Sequence, residues 1–435
     1  MDYRLIRQSS GTLYWILQPF IHIIYRLLFR KIYLHNRKGI KPNTPVLIAA
    51  NHPTAFIDPI FFCIFFDPPV YNMTRGDIFR KPFFRKLLES CNMFPVYRRR
   101  DGYEGRERND EVFEYCKKKL TQRVAVNIFV EGEHHLDKRI LPSQKGIARI
   151  AFGTYEQHPM EDFQIMPVGC NYYDGSSTRD EAKIIVGEPL MVKNYWESYQ
   201  KNPGATINQL CRDIETALKK LCYNVEDPQD HPLADQLLLL SHNQHSATSL
   251  PVVEHHATSF WPEKAMLDQL NTMPEQEKNT LKDLCNRYFD ALKQHGITDA
   301  SLIRPEHASW TRTLLLIFLA LPAMAGYIIG WPIRKITYSI TRSKVKKKEF
   351  YTSALMGIAV VMGLLYFVLW MTVGLITGYA WIITVGILMP LLAWISIFWK
   401  ETGQKWSMAR KAAALPQRSR LREMRDEILA KLPKG

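Results

Sequence analysis

Cysteine is scarce in this sequence, and its spacing lacks the close pairs that a disulfide framework requires. The 435 residues include seven cysteines, an odd number. They are scattered along the chain: Cys63, Cys91, Cys116, Cys170, Cys211, Cys222 and Cys285. This pattern favours buried thiols in a reducing compartment. A cleavable signal pattern is also missing at the N-terminus, because Pro19 interrupts the apolar run and Arg26, Arg30 and Lys31 follow it.

Acidic residues are outnumbered by basic ones, and the excess narrows the possible partners. The chain carries 57 Lys and Arg against 42 Asp and Glu, a formal net charge of +15. Such a balance suits nucleic acid, an anionic membrane surface or an anionic substrate. The sequence has no zinc-ligand spacing, aromatic-rich RNA platform or helix-turn-helix pattern, so we predict no nucleic acid partner. Much of the basic charge flanks apolar segments, which favours a lipid bilayer.

Charge is missing altogether from two long runs in the C-terminal third. Residues 313–333 contain no formal charge, and residues 350–399 contain none over 50 positions. Because a helix crosses the apolar core of a bilayer in about 20 residues, the longer run predicts a transmembrane helical hairpin that turns near Gly378. A buried hairpin in a soluble protein is the alternative, which 50 uncharged residues with four tryptophans disfavour.

The shorter run, residues 313–333, contains Pro322, Gly326, Gly330 and Pro332. These residues predict a broken, re-entrant or interfacial segment, and a straight third span is the rival. Basic residues flank both ends of the hairpin, which places both ends in the cytoplasm. We therefore predict a membrane protein, multi-pass or hairpin-anchored, whose N-terminal domain (32–225) is cytoplasmic.

Short β-rich runs alternate with longer helical patterns from residue 32 to residue 222. Strands are predicted over 32–36, 45–50, 69–74, 93–98, 124–130, 163–171 and 182–187. Helices are predicted over 59–66, 78–90, 105–121, 143–157 and 204–222. This alternation predicts a layered α/β domain with a largely parallel sheet.

The predicted organisation has five parts. An interfacial amphipathic helix (1–31, with a core helix as the alternative) precedes the α/β domain (32–225), a helical polar linker (226–308), the membrane region (309–400) and a basic tail (401–435). No strand pattern is found in residues 223–308, and the histidines there fit no metal-site spacing. The tail has apolar residues at helical spacing, which predicts a short surface helix.

The stretch Asn51-His52-Pro53-Thr54-Ala55-Phe56-Ile57-Asp58-Pro59 follows an apolar strand pattern. A histidine oriented by a carboxylate can remove a proton from an alcohol as a general base. No G-x-S-x-G nucleophile elbow is found, so the pair suggests that the substrate supplies the hydroxyl. Alternatively, Asp58 is only a helix cap before Pro59, and His52 only a polar residue that closes a turn.

This stretch resembles the His-to-Asp signature of the glycerol-3-phosphate and lysophosphatidate acyltransferase superfamily. The common form has four residues between His and Asp, whereas five lie between His52 and Asp58, as in the N-H-P-x-x-x-x-D-P branch. Three further blocks follow in the family's order: Met93 to Arg98, Ile128 to His134 and Ile165 to Tyr172. The resemblance covers about residues 30–225.

The resemblance assigns candidate substrate-binding residues. Arg98 would bind the substrate phosphate through its guanidinium fork, with Arg75 as a weaker candidate; a solvated surface arginine is the alternative. Glu131 and Gly132 match the F-P-E-G-T-R segment, although Val130, Glu133 and His134 depart from it. Lys145 would add positive charge near the anion site, or is only an exposed helical lysine. The fourth block would line the acyl chain, or is only a core strand.

The resemblance implies a membrane-associated O-acyltransferase of phospholipid synthesis. His52 and Asp58 would be catalytic, with no metal or redox cofactor. The donor would be acyl-CoA or acyl carrier protein, and the acceptor glycerol-3-phosphate or a lysophospholipid such as a lysophosphatidate. Two alternatives remain: an acyltransferase for an amino-lipid (a lyso-ornithine or glycine lipid), and a non-catalytic membrane adaptor with a degraded site, which the altered third block favours and the intact His–Asp pair disfavours.

Overall fold

The computed structural model describes residues 12–67, 69–76, 79, 82–96, 104–244, 250–346 and 350–432. These residues divide into two compact units. The first contains the described residues up to 224, together with 250–257 and 350–354. The second contains residues 225–244, 258–346 and 355–432.

The first unit is built on one mixed sheet. Within the described residues its strands are β1 (Lys31–His35), β2 (Val46–Ala50), β3 (Tyr71–Arg75), β4 (Met93–Val96), β5 (Ala125–Phe129), β6 (Gln164–Tyr172), β7 (Glu181–Val186), β8 (Leu190–Met191) and β9 (Val253–Glu254). The order is β4-β3-β5-β2-β6-β7-β1-β9, and β8 pairs with β6. The neighbouring strands β4, β3, β5, β2 and β6 run parallel to one another. β7 runs antiparallel to β6, and β1 is parallel to both β7 and β9. The predicted α/β domain with a largely parallel sheet is therefore confirmed.

Seven described helices accompany this sheet. They are α1 (Thr12–Leu28), α2 (Ile57–Phe65), α3 (Pro82–Ser90), α4 (Glu104–Thr121), α5 (Gly146–Gln157), α6 (Lys193–Lys201) and α7 (Pro203–Leu221). All five residues of β2 are buried, as expected for a strand covered on both faces. Each predicted strand and helix is present, and its ends lie within three residues of the predicted ones wherever they are described.

The linker contributes a strand that the sequence pattern did not predict. β9 pairs in parallel with β1 at the sheet edge. The fully buried Lys31 ammonium donates to Pro251 O at 2.7 Å and pairs with the Glu254 carboxylate. A two-residue strand is too short to show alternating hydrophobicity, so the prediction of no strand in 223–308 is wrong at this point.

The N-terminal helix α1 has two different faces. Tyr14, Tyr25 and Leu28 are buried, whereas Ile16 and Ile23 are exposed. An exposed apolar stripe opposite a buried face is typical of a helix that lies at a membrane surface. The predicted helix is present, and its interfacial role stays a prediction.

The described secondary structure of the second unit consists of helices joined by loops. Its helices are α8 (His231–Gln244), α9 (Phe260–Thr272), α10 (Glu275–Gln294), α11 (Asp299–Ile303), α12 (Trp310–Lys344), α13 (Tyr351–Thr377, with its first turn in the first unit), α14 (Ala380–Ala413) and α15 (Arg418–Ala430). The buried Asp299 carboxylate accepts hydrogen bonds from Tyr288, Asn243 and Arg425 at 2.5–2.9 Å. These bonds join α8, α10, α11 and α15, so the tail helix packs onto the linker helices.

Helices α12, α13 and α14 are each long and apolar enough to cross a membrane. Helices α13 and α14 meet at Gly378, whose φ of 72° is in the region that favours glycine, and this confirms the predicted position of the hairpin turn. The predicted break in residues 313–333 is wrong, because α12 is continuous and includes Pro322 and Pro332. Helix α14 packs on the N-terminal part of α12, where the indoles of Trp399 and Trp406 donate to Leu316 O and Thr313 Oγ1.

Candidate active site

The candidate catalytic residues gather at one edge of the sheet. β2 lies between β5 and β6, and Ala50 at its end pairs with Phe129 and Val168. The loop with His52 therefore leaves the sheet beside the loop that follows β5. β6 continues four residues beyond Val168, which carries Tyr172 past the end of β2. Ligands of open α/β sheets typically bind beyond the carboxyl ends of the strands, which is this edge.

His52 and Asp58 form a hydrogen-bonded pair. The Nδ1 atom of His52 lies 2.9 Å from Asp58 Oδ2. A carboxylate at Nδ1 holds the proton on that nitrogen and leaves the Nε2 lone pair free to accept one. The Asp58 side chain is fully buried and the His52 side chain is 13% exposed. The geometry supports a general base whose tautomer is fixed by its partner.

Asp58 is held by three further hydrogen bonds. The Thr54 amide donates to Oδ2 and the Thr54 hydroxyl to Oδ1, both at 2.8 Å. The Tyr172 hydroxyl donates to Oδ1 at 2.6 Å. Burial, and next the Asp58 charge, raises the pKa of Tyr172 well above its usual value, so this hydroxyl remains a donor. These donors fix the orientation of the buried carboxylate.

The helix-cap interpretation of Asp58 is wrong. Helix α2 begins at Ile57, which places Asp58 inside its first turn, and Phe56 occupies the N-cap position. The Asp58 carboxylate instead accepts from Thr54 and contacts His52, both of which precede the helix. The six-residue separation therefore closes as a loop, because residues six apart do not share one face of a helix.

Two aromatic rings fix the His52 imidazole. The Phe129 ring at the end of β5 stacks on it with centroids 3.8 Å apart and an interplanar angle of 12°. The His134 ring meets it edge to face at 5.8 Å. His134 occupies the position of an arginine in the family segment, so this substitution lies beside the catalytic histidine.

Glu131 connects the catalytic loop to the loop after β5. Its Oε2 accepts from the His52 amide at 3.1 Å and its Oε1 from the Leu141 amide at 2.9 Å. His52 O in turn accepts from the His135 amide at 3.2 Å. His135 lies 3.5 Å from Glu131; burial alone lowers the pKa of His135, but the Glu131 carboxylate outweighs it and the net direction is upward. Glu131 therefore holds the backbone of the loop that carries His52, and substrate contact by Glu131 stays a prediction.

The remaining predicted residues have different positions. Gly132 has a φ of +74°, and a Cβ there would lie 3.1 Å from the Gln144 side chain, so glycine is required for this turn. Lys145 is exposed at the N-cap position of α5. Arg75 ends β3, but its side chain is outside the described part of the structure. Arg98 lies outside the described residues, so its phosphate contact stays a prediction.

Sequence reasoning missed three residues of this site. Thr54 lies inside the quoted motif, where a hydroxyl near Asp58 was a usable signal. Tyr172 and Phe129 are the last residues of β6 and β5. Aromatic residues at strand ends are common, so neither carried a signal before the strand order was known.

The chain is similar to known acyltransferases. Residues 31–171 match the family model described as Acyltransferase. Glycerol-3-phosphate O-acyltransferase 2 of Saccharomyces cerevisiae is 30% identical over 120 residues, 27% of this chain and 16% of that protein. Glycerol-3-phosphate O-acyltransferase 1 of the same yeast is 25% identical over 251 residues, 54% of this chain and 31% of that protein. These matches cover less than a third of either relative.

One solved structure is also similar. The 1-acyl-sn-glycerophosphate acyltransferase PlsC from Thermotoga maritima has 15% identity and a TM-score of 0.33. The match covers 46% of this chain and 79% of that one.

Proposed function

We propose that the chain, whose residues 31–171 match the Acyltransferase family model, is a membrane-associated O-acyltransferase. It transfers a fatty acyl group from acyl-CoA or acyl carrier protein to glycerol-3-phosphate or a lysophosphatidate. The observation that carries this proposal is the 2.9 Å contact between His52 Nδ1 and Asp58 Oδ2, made by a carboxylate that three more donors hold in place.

The reaction begins with proton transfer to His52. Nε2 accepts the proton of the glycerol hydroxyl as the hydroxyl oxygen attacks the thioester carbonyl carbon. The tetrahedral intermediate then loses the thiol of the donor, and His52 returns its proton to the leaving sulfur. The products are an ester and a free thiol, and the imidazole is neutral again.

Asp58 stabilises the imidazolium that forms during the reaction. Its carboxylate is fully buried, and a negative charge close to Nδ1 favours the protonated ring. Thr54 and Tyr172 prevent the carboxylate from rotating away, since they occupy its other lone pairs. Asp58 therefore acts on the reaction through His52 and does not remove a proton itself.

Binding of the acceptor phosphate is assigned to basic side chains. Arg98 follows β4, and the carboxyl end of this strand lies on the same side of the parallel sheet as the end of β2. A guanidinium donates two parallel hydrogen bonds to a phosphate, which suits a small phosphorylated acceptor. Arg75 and Lys145 are the further candidates.

The membrane location follows from the apolar helices. We assign α13 and α14 as a hairpin that crosses the bilayer twice, with the acyltransferase domain in the cytoplasm. Helix α12 does not cross in this arrangement. Its C-terminal end is six residues from Phe350, whose ring packs on His134 in the catalytic unit at 4.6 Å. Its N-terminal end follows residues 225–308, in which no described helix is a candidate span.

An acceptor panel tests the proposed function. Membranes that contain the wild-type protein are supplied with labelled acyl-CoA or acyl carrier protein and with glycerol-3-phosphate, lysophosphatidate, lyso-ornithine lipid or glycine lipid. Asp58→Asn is the matched variant, because it keeps the shape of the side chain. We expect labelled phosphatidate or lysophosphatidate from the wild type, and from Asp58→Asn a rate lower by about 10²-fold or more.

Each other result of the panel contradicts the proposal in a defined way. Preferential labelling of an amino-lipid would overturn the phosphorylated acceptor. No labelled product with any pair of substrates would favour a non-catalytic adaptor. A lower melting temperature without loss of rate in Asp58→Asn would show that Asp58 is structural only.

A further inference from the structure

Two side chains from outside the catalytic loop hold its backbone. The Tyr25 hydroxyl on α1 donates to Ile57 O at 2.8 Å. The Ser353 hydroxyl on the first turn of α13 accepts from the Phe56 amide at 3.0 Å. Phe56 and Ile57 immediately precede Asp58, so both bonds act on the segment that sets the position of the carboxylate.

Both contacts are protected from water. Tyr25 is 0% exposed and Ser353 2% exposed. The Phe56 amide lies at the start of α2, where the helix offers it no carbonyl partner, so the Ser353 hydroxyl satisfies a donor that would otherwise be unpaired. Loss of the Ser353 hydroxyl would leave the Phe56 amide without this partner, and loss of the Tyr25 hydroxyl would release Ile57 O from α1; either change would loosen the loop.

The two holding residues belong to segments that the sequence associates with the membrane. Helix α1 exposes Ile16 and Ile23 opposite its buried face. Helix α13 is long and apolar enough to cross a bilayer. Phe350, just before α13, also packs edge to face on the His134 ring. The His134 ring in turn meets the His52 ring edge to face. Residues 350–353 therefore make two contacts near His52, one with His134 and one with Phe56.

We propose that Tyr25 and Ser353 are positioning residues that hold the loop between His52 and Asp58 in its catalytic geometry. Neither contacts the reacting atoms. Each acts through one backbone group, and each comes from a helix whose own location is set by the bilayer. The catalytic pair is thereby linked to membrane attachment through both helices. This inference rests on the proposed acyltransferase function for its kinetic consequences, but the geometry itself can be measured without activity.

Tyr25→Phe and Ser353→Ala test the inference, because each removes a hydroxyl and little else. Tyr195→Phe is the control for the tyrosine, since its hydroxyl donates to Asp213 at 2.8 Å on another pair of helices. Ser343→Ala is the control for the serine, since its exposed hydroxyl bonds only to Ile340 O of its own helix. All four variants and the wild type are reconstituted as full chains in vesicles of phosphatidylcholine and phosphatidylglycerol.

Two readouts are taken on each protein. The first is kcat and KM for acyl transfer; we expect kcat to fall by about threefold to tenfold in each test variant with KM unchanged, the range of one ordinary hydrogen bond. The second is the rate at which diethyl pyrocarbonate modifies His52, measured on its peptide by mass spectrometry. A looser loop exposes the imidazole, so we expect this rate to rise by a similar factor of about three to ten.

The controls should match the wild type in both readouts, and melting temperatures establish that every variant is folded. A test variant with both kcat and His52 modification within twofold of the wild type would overturn the role of that residue. If the wild type transfers no acyl group to any acceptor, the proposed function fails, and the His52 modification rates still test the positioning role.

Discussion

The Tyr172 hydroxyl donates a hydrogen bond to Asp58 Oδ1 at 2.6 Å, although 114 residues separate the two in the chain. The bond joins the last residue of β6 to the first turn of α2. It occupies the carboxylate oxygen opposite the one that contacts His52. The orientation of the catalytic pair therefore depends on the strand order and not only on the local motif.

We predict that Tyr172→Phe lowers kcat by about tenfold to a hundredfold with little change in KM. A hydrogen bond to a charged group contributes about 1.5–3 kcal/mol, and each 1.4 kcal/mol is about tenfold in rate. Steady-state kinetics on membrane preparations would measure the change. Tyr195→Phe loses a comparable hydroxyl and should not affect kcat. If the two substitutions change kcat equally, the Tyr172 hydroxyl has no specific effect on the reaction.

Asp180 should make stability depend on pH. Its carboxylate accepts from the Asp174 amide at 2.9 Å, but burial raises its pKa from 3.8 to about 7. The folded state therefore binds more protons than the unfolded state between about pH 4 and pH 7. Stability from this group is present below pH 4 and is lost as the pH rises to about 7.

Asp180→Asn removes this dependence while keeping an acceptor for Asp174. We expect the variant to melt at a higher temperature than the wild type at pH 8, and this difference to shrink by pH 5. The change in free energy between the two pH values is roughly 3 kcal/mol at most, at about 1.4 kcal/mol per pKa unit. Thermal melting of the detergent-solubilised protein measures it; parallel curves at both pH values would contradict the assignment.

Arg98→Ala should raise the KM for a phosphorylated acceptor far more than the KM for the acyl donor. The guanidinium–phosphate fork is present in the ground state, so its loss weakens binding before the chemical step. Initial rates with each substrate varied in turn separate the two constants. Equal increases in both would indicate a structural arginine.

The predicted topology has two crossings, both in the hairpin. In single-cysteine variants, an impermeant maleimide should label Tyr379→Cys in intact cells. It should label Gln229→Cys and Ser343→Cys only after lysis. All three positions are exposed in the structure, and six of the seven native cysteines are buried. Opposite accessibility of positions 229 and 343 would mean that α12 crosses the bilayer.

The sequence predicted what local patterns encode. The alternation of strand and helix patterns in the sequence located the strands and helices, and the stretch with His52 and Asp58 pointed to two side chains that are hydrogen-bonded in the structure. Contacts between distant segments, such as Ser353 with Phe56, have no sequence signature because they depend on tertiary packing. The same reason explains why the interpretation of Asp58 as a helix cap is wrong. The position of its carboxylate is set by His52, Thr54 and Tyr172 and not by the preference of aspartate for the N-cap position.

The continuous α12 was missed for a related reason. Proline removes one backbone hydrogen bond of a helix, and single-sequence reasoning treats this as a break. In the structure α14 packs beside α12, and hydrogen bonds from Trp399 and Trp406 fix the two together. These bonds lie at Leu316 and Thr313 and not at the two prolines, so packing stabilises α12 as a whole, which local preference does not report.

The central claim is that His52 is the general base of acyl transfer. The most direct test compares the transfer of a labelled acyl group by wild-type and His52→Ala membranes, with the donor and acceptor that the wild type uses best. We predict that the substitution lowers the rate by about 10²–10⁴-fold, while the melting temperature and membrane association stay unchanged. A rate within threefold of the wild type in a folded, membrane-bound variant would contradict the account.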